Sequence, residues 1–378
     1  MKGVLSSYPQ DLRELIKQLR KAHAYFGAQS ILVELEYRHG YKQENLPSLS
    51  SIAAYLKQEG LTSKYESHSE LPVLPRATPT YEHEQWQIDG RGNEEIDNVG
   101  TIAFLNIKDI FSSVYVACFP AKMKSSRGHP TMENYQTALR LGFLEFGLPR
   151  KIQVDHASVF YDNHSKSPFP TRFHLWLIAL GVELVYSRVH RPTDQAKVER
   201  SHEILFNQTV RSHKTKDWKH LYRICQNRRK VLNEELPSSA CDGKPPLKAL
   251  PKAKHSGQIY TPQNEIILLD LKRIDMFLSK CTWFRKVASN KTVALARQVY
   301  YLKHAEPRTQ LKITFCSSCR YFFFWNDKEL LVDLKPIKGL DKAYLIGDLN
   351  KLFNTPNLQL PIPFDWSQKV STTFLDDS

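Results

Sequence analysis

Along the first 66 residues the apolar positions recur at helical spacing. Leu12, Leu15, Ile16 and Leu19 follow the i, i+3, i+4, i+7 pattern, with Asp11 and Glu14 placed as an N-terminal cap. A second set, Ile31, Leu32 and Leu35, ends near Gly40, a left-handed stop. A third helix is predicted to start at Ser50, to bury Ile52, Ala53 and Leu56, and to stop at Gly60. Three short helices with a tight turn before the last fit a helix-turn-helix, in which Ser51, Ala54, Tyr55 and Gln58 face outward. By itself the trio favours a plain helical bundle with no DNA role. Residues 67–80 carry three prolines and read as a linker.

From Tyr81 the period changes to two. Trp86 to Asp89, Thr101 to Ile107 and Val114 to Phe119 read as three consecutive strands, the last two as a hairpin. A helix from Met132 buries Tyr135, Leu139 and Phe143, and Lys151 to Asp155 forms a fourth strand. A helix ending at Gly181 leads to a fifth strand, Val182 to Tyr186, and a long helix runs from Gln195 to His213, capped by Thr193 or Asp194. That order predicts an α/β fold: a mixed sheet covered by helices. Residues 236–283 are proline-bearing and basic, and read as a connector. In 284–340, strands are expected over 291–302, 311–315, 321–325 and 330–334, which together suggest a small barrel. The pattern fades over 341–378, a tail.

The charge narrows the class of partner. The net charge of +14 gathers in two stretches, 186–230 and 252–312, each holding twelve Lys or Arg against four acids. Clustered positive charge suits a nucleic acid backbone, with a solvated surface as the plain alternative. No run of about 18 apolar residues exists to span a membrane, and the N-terminus lacks the apolar core of a signal peptide. Six scattered cysteines fit a reducing compartment. Cys316 and Cys319 form one CxxC with no second pair, and structural zinc needs four ligands.

Three carboxylates are the candidate chemistry: Asp89 in WQIDG, Asp155 in KIQVDHASVF, and Glu199 in RPTDQAKVERSHE. Two fall on strands and the third in the first turns of a helix, the hard-oxygen donors that a pair of divalent cations needs. Each has a plain reading too: Asp89 before Gly90 as a turn residue, Glu199 as a surface partner of Lys197 or Arg200.

WQIDG, QVDHASVFYDN and SRVHRPTDQAKVERSHEILFNQ together resemble insertion-sequence transposases and retroviral integrases. LPSLSSIAAYLKQEGL is similar to the helix-turn-helix of bacterial members, and RKVASNKTVALARQVYYL resembles their C-terminal Src-homology-3-like barrel. The likeness covers roughly Leu12 to Leu340. It implies a ribonuclease-H-like catalytic domain over 81–235, with Asp89, Asp155 and Glu199 as both catalytic triad and ligands of two Mg²⁺ (Mn²⁺ as substitute). It further implies nicking of element ends, strand transfer into target DNA, and a homo-oligomer on double-stranded DNA in the bacterial cytoplasm.

DNA contacts are expected from Ser51, Tyr55 and Gln58 at base edges or phosphates, from Arg188, Arg191, Lys197 and Arg200 beside the third acid, and from Arg285 and Lys286 on the barrel. There are departures. Forty-three residues separate Asp155 from Glu199, more than is usual, and Asp162 would give thirty-six. No Cys precedes Cys118, so the paired Cys of a viral zinc domain is missing and the bacterial branch remains. Two other readings stand beside the transposase: a DNA-binding regulator with an idle triad, and a nuclease of the same fold without strand transfer.

Overall fold

The computed structural model of the chain describes residues 4–24, 26–62, 78–125, 128–163, 165–187 and 196–347. Its N-terminal part is three helices, α1 (Gln10–Ala22), α2 (Ala28–Tyr37) and α3 (Leu49–Gln58). They close a core of their own around Leu12, Ile16, Ile31, Leu35, Ile52 and Leu56. Pro9, not an acid, stands at the N-cap of α1, while Ser48 caps α3 by accepting from the Ser51 N–H. Residues 38–48, including a 3-10 turn at Gln43–Asn45, join α2 to α3, a longer connection than the tight turn expected.

The face of α3 also differs from the sequence reading. Ile52, Tyr55 and Leu56 are buried, whereas Ala53 is exposed. Residues at i, i+3 and i+4 share one helix face, and the Tyr55 ring has the apolar body that this core takes up. Tyr55 therefore does not face outward.

A five-stranded mixed sheet follows, made of β1 (Gln85–Ile96), β2 (Gly100–Asp109), β3 (Tyr115–Lys122), β4 (Lys151–Val154) and β5 (Glu183–Tyr186) in the order β3-β2-β1-β4-β5. The first three strands are antiparallel; β4 and β5 run parallel to β1. Parallel neighbours need crossovers, which α4 (Met132–Phe146) and α5 (Arg172–Leu180) supply. A capping box between Thr131 and Asn134 starts α4, and Thr171 caps α5. On one face of the sheet Trp86 stacks on Phe143 of α4. The other face receives α6 (Ala196–Gln208), whose Phe206 lies under the Arg91 guanidinium of β1 at 4.1 Å. The helix stops at Gln208 rather than His213. A further helix, α7 (Trp218–Glu234), packs along β3 and was not foreseen.

The connector is built into the fold. It holds short helices α8 (Pro246–Ala249), α9 (Glu265–Leu268) and α10 (Leu271–Leu278), and it buries Ala253, Tyr260, Leu269 and Ile274 in the main core. Glu265 of α9 receives a two-pronged pair from Arg140 of α4 at 2.7 and 2.8 Å, and hydrogen bonds from Trp176 and Tyr260.

Six strands follow: β6 (Thr282–Lys286), β7 (Thr292–Leu295), β8 (Gln298–Tyr301), β9 (Gln310–Cys316), β10 (Tyr321–Trp325) and β11 (Leu331–Pro336). They form a four-stranded sheet, β11-β10-β9-β6, and a separate β7-β8 hairpin. The single strand expected over 291–302 is this hairpin, turned at Ala296-Arg297, both at positive φ, and Val299 is exposed. Beyond it, α11 (Lys342–Ile346) docks by Leu345 and Ile346, where a structureless tail was expected.

Candidate active site

Strand register assembles the site. β1 and β4 pair in parallel with Trp86 opposite Ile152 and Gln87 opposite Gln153. Two residues further along each chain stand Asp89 and Asp155, so the same pairing, carried past the end of β4, sets the two acids side by side. The period of two puts Gln87 and Asp89 on one face, and Gln153 and Asp155 on the same one. Contacts confirm that face: Gln87 Nε2 donates to Gln153 Oε1 at 3.0 Å, and Gln153 Nε2 to Ser187 Oγ at 2.9 Å. Below the acids lies a ladder of buried amides; above them comes α6.

Asp89 Oδ1 accepts the Gly90 N–H at 2.9 Å. Its Oδ2 lies 3.4 Å from Nε2 of His202, a close polar contact without the alignment of a hydrogen bond. His202 is buried on α6, three residues after Glu199, and Nδ1 of its ring meets Nδ2 of Asn106 at 2.9 Å. Asn106 is the residue directly opposite Asp89 on β2. With the Asn106 amide nitrogen as donor, His202 Nδ1 accepts, and Nε2 is the ring nitrogen turned toward the carboxylate. Asp155, just past β4, folds back so that Oδ1 accepts the Ala157 N–H at 2.9 Å.

The electrostatics record the crowding. Burial opposes charge on Asp89, but the His202 ring and the Gly90 N–H outweigh it and hold the carboxyl below the usual range. Asp155 is pushed up by burial and then by the charge of Asp89, against the Ala157 N–H. Glu199 is exposed and also raised, by partial burial of its carboxyl and again by Asp89. Asp89 is thus the acid that both others feel. Tyr135 of α4 is buried nearby and its hydroxyl is raised by burial and by Asp155 and Asp89. A Cβ on Gly90 would come within 2.8 Å of that hydroxyl, so glycine is what lets the strand and the ring approach.

Among the described residues no group of three or more His, Cys, Asp and Glu is placed to hold a metal ion. The acids are gathered but not closed into a cage. The donors nevertheless suit a hard divalent cation in kind: carboxylate oxygens gathered at one place, two of the three resisting ionisation because of their burial and then the charge of Asp89.

The remaining expected site residues separate. Lys197 is exposed and its ammonium donates to the Ile110 carbonyl at 3.0 Å; Arg200 is exposed beside it. Arg188 and Arg191 lie outside the described residues. Ser51 shares its hydroxyl with Ser48 at 2.8 Å, and Gln58 is exposed, its carbonyl accepting the Val4 N–H. Arg285 is half-buried, with Nη1 donating to the Ser167 and Phe284 carbonyls, whereas Lys286 is exposed. Asp162, the alternative second acid, lines a cleft of about 550 Å³ with Arg172, Arg285 and Arg297, and its charge acts on Arg285. His156 stacks on Tyr186 and meets Tyr161 edge-on. His202, Asn106 and Tyr135 were missed as site residues. Only the first left a signal, its place three residues after Glu199 on one helical face.

No family model matches the chain. Among solved structures it is similar to the catalytic core domain of HTLV-2 integrase in complex with magnesium, at 15% identity and TM-score 0.34, covering 45% of this chain and 97% of that one. The catalytic core of BIV integrase is similar at 14% identity and TM-score 0.33, over 45% of this chain and 95% of that one. The simian T-cell lymphotropic virus intasome in complex with PP2A regulatory subunit B56 gamma matches at 13% identity and TM-score 0.39, covering 86% of this chain and 100% of that chain. Such likeness concerns chain path at most; the chemistry rests on the residues.

Proposed function

We propose that this chain is a DNA transposase of the Asp-Asp-Glu kind, nicking the ends of a mobile element and joining the freed 3′-hydroxyl to target DNA. The observation that carries the reading is the β1–β4 register, which sets Asp89 beside Asp155 under a helix bearing Glu199. Asp89 and Asp155 would hold Mg²⁺ or Mn²⁺ together, with Glu199 as the third donor, two ions in all. A bound divalent cation makes a water or hydroxyl nucleophilic and stabilises the leaving oxygen of an in-line displacement. The chain's own part is to fix the acids: the Gly90 and Ala157 N–H groups each hold one oxygen, and the Asn106–His202 pair fixes a donor against Asp89. Asp155 Oδ2 and the remaining lone pairs of Asp89 would then serve for coordination.

In this reading 81–235 is the catalytic domain, 1–66 binds element ends through Ser51 and Gln58, and 284–340 adds Arg285 and Lys286. Arg188, Arg191, Lys197 and Arg200 neutralise phosphates at the cut. The working form is a homo-oligomer on paired ends, in a bacterial cytoplasm. No helix among the described residues is long and apolar enough to cross a membrane.

The test is a strand-transfer assay with Mg²⁺ and the DNA that flanks the gene, including any inverted repeats it carries. Wild type is expected to nick and join; Asp89→Asn, Asp155→Asn and Glu199→Gln are expected to bind the repeats and lose at least about 10³-fold in rate, the scale of removing a group that acts on the transition state. Binding without cleavage by wild type would mark a regulator, and nicking without joining a nuclease.

A further inference from the structure

The CxxC of the C-terminal sheet lies far along the chain from the acids, and the reading above makes no use of it. β9 ends at Cys316, β10 begins at Tyr321, and these two residues pair across the hairpin. The loop between them closes with the Arg320 N–H donating to the Cys316 carbonyl at 2.9 Å. Cys316 and Cys319 thus occupy one tight turn. Cys319 is exposed and Cys316 half-exposed, whereas Cys118, Cys225 and Cys241 are buried. The Cys316 sulfur lies 3.1 Å from the Ser318 hydroxyl.

We propose that Cys316 and Cys319 are a reversible oxidation site, Cys316 reacting with hydroperoxides and Cys319 resolving the product to an intrachain disulfide. Two thiols alone cannot complete a zinc tetrahedron, but they are a full complement for a disulfide. The thiolate is the reacting species, and the surroundings assign it: hydrogen bonds from Ser318 and from the Cys319 thiol pull Cys316 down to about 7. The same contact raises Cys319, which keeps its proton. By contrast, the hydrogen-bonded neighbour Cys118 and then burial raise Cys225, and burial raises Cys241 and Cys281.

The chemistry balances with hydrogen peroxide as oxidant. The Cys316 thiolate attacks one peroxide oxygen, the O–O bond breaks, hydroxide leaves, and the sulfur is oxidised by two electrons to a sulfenic acid. Cys319 then attacks that sulfur; an S–S bond forms, the S–O bond breaks, and the hydroxyl departs as water with the Cys319 proton. The net change is two thiols and one peroxide to one disulfide and two waters. The closed turn would adjoin Arg320, whose Nε meets Asp275 of α10 at 3.1 Å and whose main-chain oxygen accepts the Ile337 N–H.

The test uses the full chain. At neutral pH, iodoacetamide should label Cys316 roughly fivefold faster than an unperturbed peptide thiol, since the larger thiolate fraction is partly offset by lower nucleophilicity. Hydrogen peroxide should give a Cys316–Cys319 link by peptide mapping, reversed by dithiothreitol, with Cys118, Cys225 and Cys241 still reduced. In Cys319→Ser protein, dimedone should trap Cys316 as the sulfenic acid. Labelling no faster than the peptide thiol, a link between two copies, or absence of the dimedone adduct would each overturn the assignment.

Discussion

Asp89 and Asp155 are neighbours with opposite demands on the fold. Ionised Asp89 is held by His202 and Gly90, so its carboxyl stabilises the protein above its unfolded value and loses that stabilisation as pH falls through its lowered one. Asp155 is raised by burial and by Asp89, so the metal-free fold resists its ionisation and gains as pH falls through its raised value. At pH 7 without metal, Asp155→Asn should therefore keep or raise the melting temperature, and Asp89→Asn should lower it. Calorimetry decides; equal losses in both would make Asp155 a structural residue. His174 carries a separate acid sensitivity. Burial pulls it down to about 4 from 6.5, so the unfolded chain takes up the proton first as pH falls. Stability is complete above about 6.5 and declines toward pH 4, by up to about 3 kcal/mol. His174→Asn should flatten that part of a denaturation series, and an unchanged slope would exclude it as the cause.

At the scale of elements, the close approach of α4 to the sheet is what sets the strand that carries Asp89. A Cβ on Gly142 would stand 2.7 Å from Val116 Cγ1 and 3.4 Å from Trp86. Gly142→Ala should cost about 1–3 kcal/mol by overpacking, despite the better helix propensity of alanine, and urea denaturation reads it. A gain in stability would show the contact to be soft. Elements also show where the sequence was legible. Alternation and helical spacing located the three helices at the N-terminus and all five strands of the main sheet, because each signal is local. α7 escaped because Arg228, Arg229 and Asn233 are among its buried residues, so its inner face is not an apolar stripe. The β7–β8 turn escaped because Ala296 and Arg297 adopt positive φ without the Gly or Asn that would announce it.

For the whole molecule, the Arg140–Glu265 pair is the clasp. It joins α4 to the connector, and Arg140 Nη2 also donates to the Ile346 carbonyl of α11 at 2.9 Å. Both side chains are buried, 3% and 0% exposed, so removing one leaves the other charge unpaired. Glu265→Ala should cost about 3–5 kcal/mol, whereas replacing both partners with apolar residues should cost much less. Equilibrium denaturation of the two proteins compares them, and equal losses would contradict the argument.

The N-terminal helices dock on the main body through polar contacts, including Arg38–Glu235 at 2.7 Å and Arg228–Glu34 at 3.2 Å. The sequence by itself determined the three N-terminal helices, the order of elements from β1 to α6, the concentration of positive charge and the three acids, because propensity, periodicity and composition act over a few residues. Only the tertiary structure decided which residues meet. The pairing of β1 with β4 joins positions some sixty-six residues apart, and a slip of one residue would turn one of the two acids to the opposite face. Asn106, His202 and Tyr135 come to the site from a second strand and two helices, and the connector reaches the core through partners such as Arg140 and Trp176, 125 and 89 residues from Glu265. Hydrogen-bond register and side-chain packing are properties of the folded chain, and no local pattern encodes them.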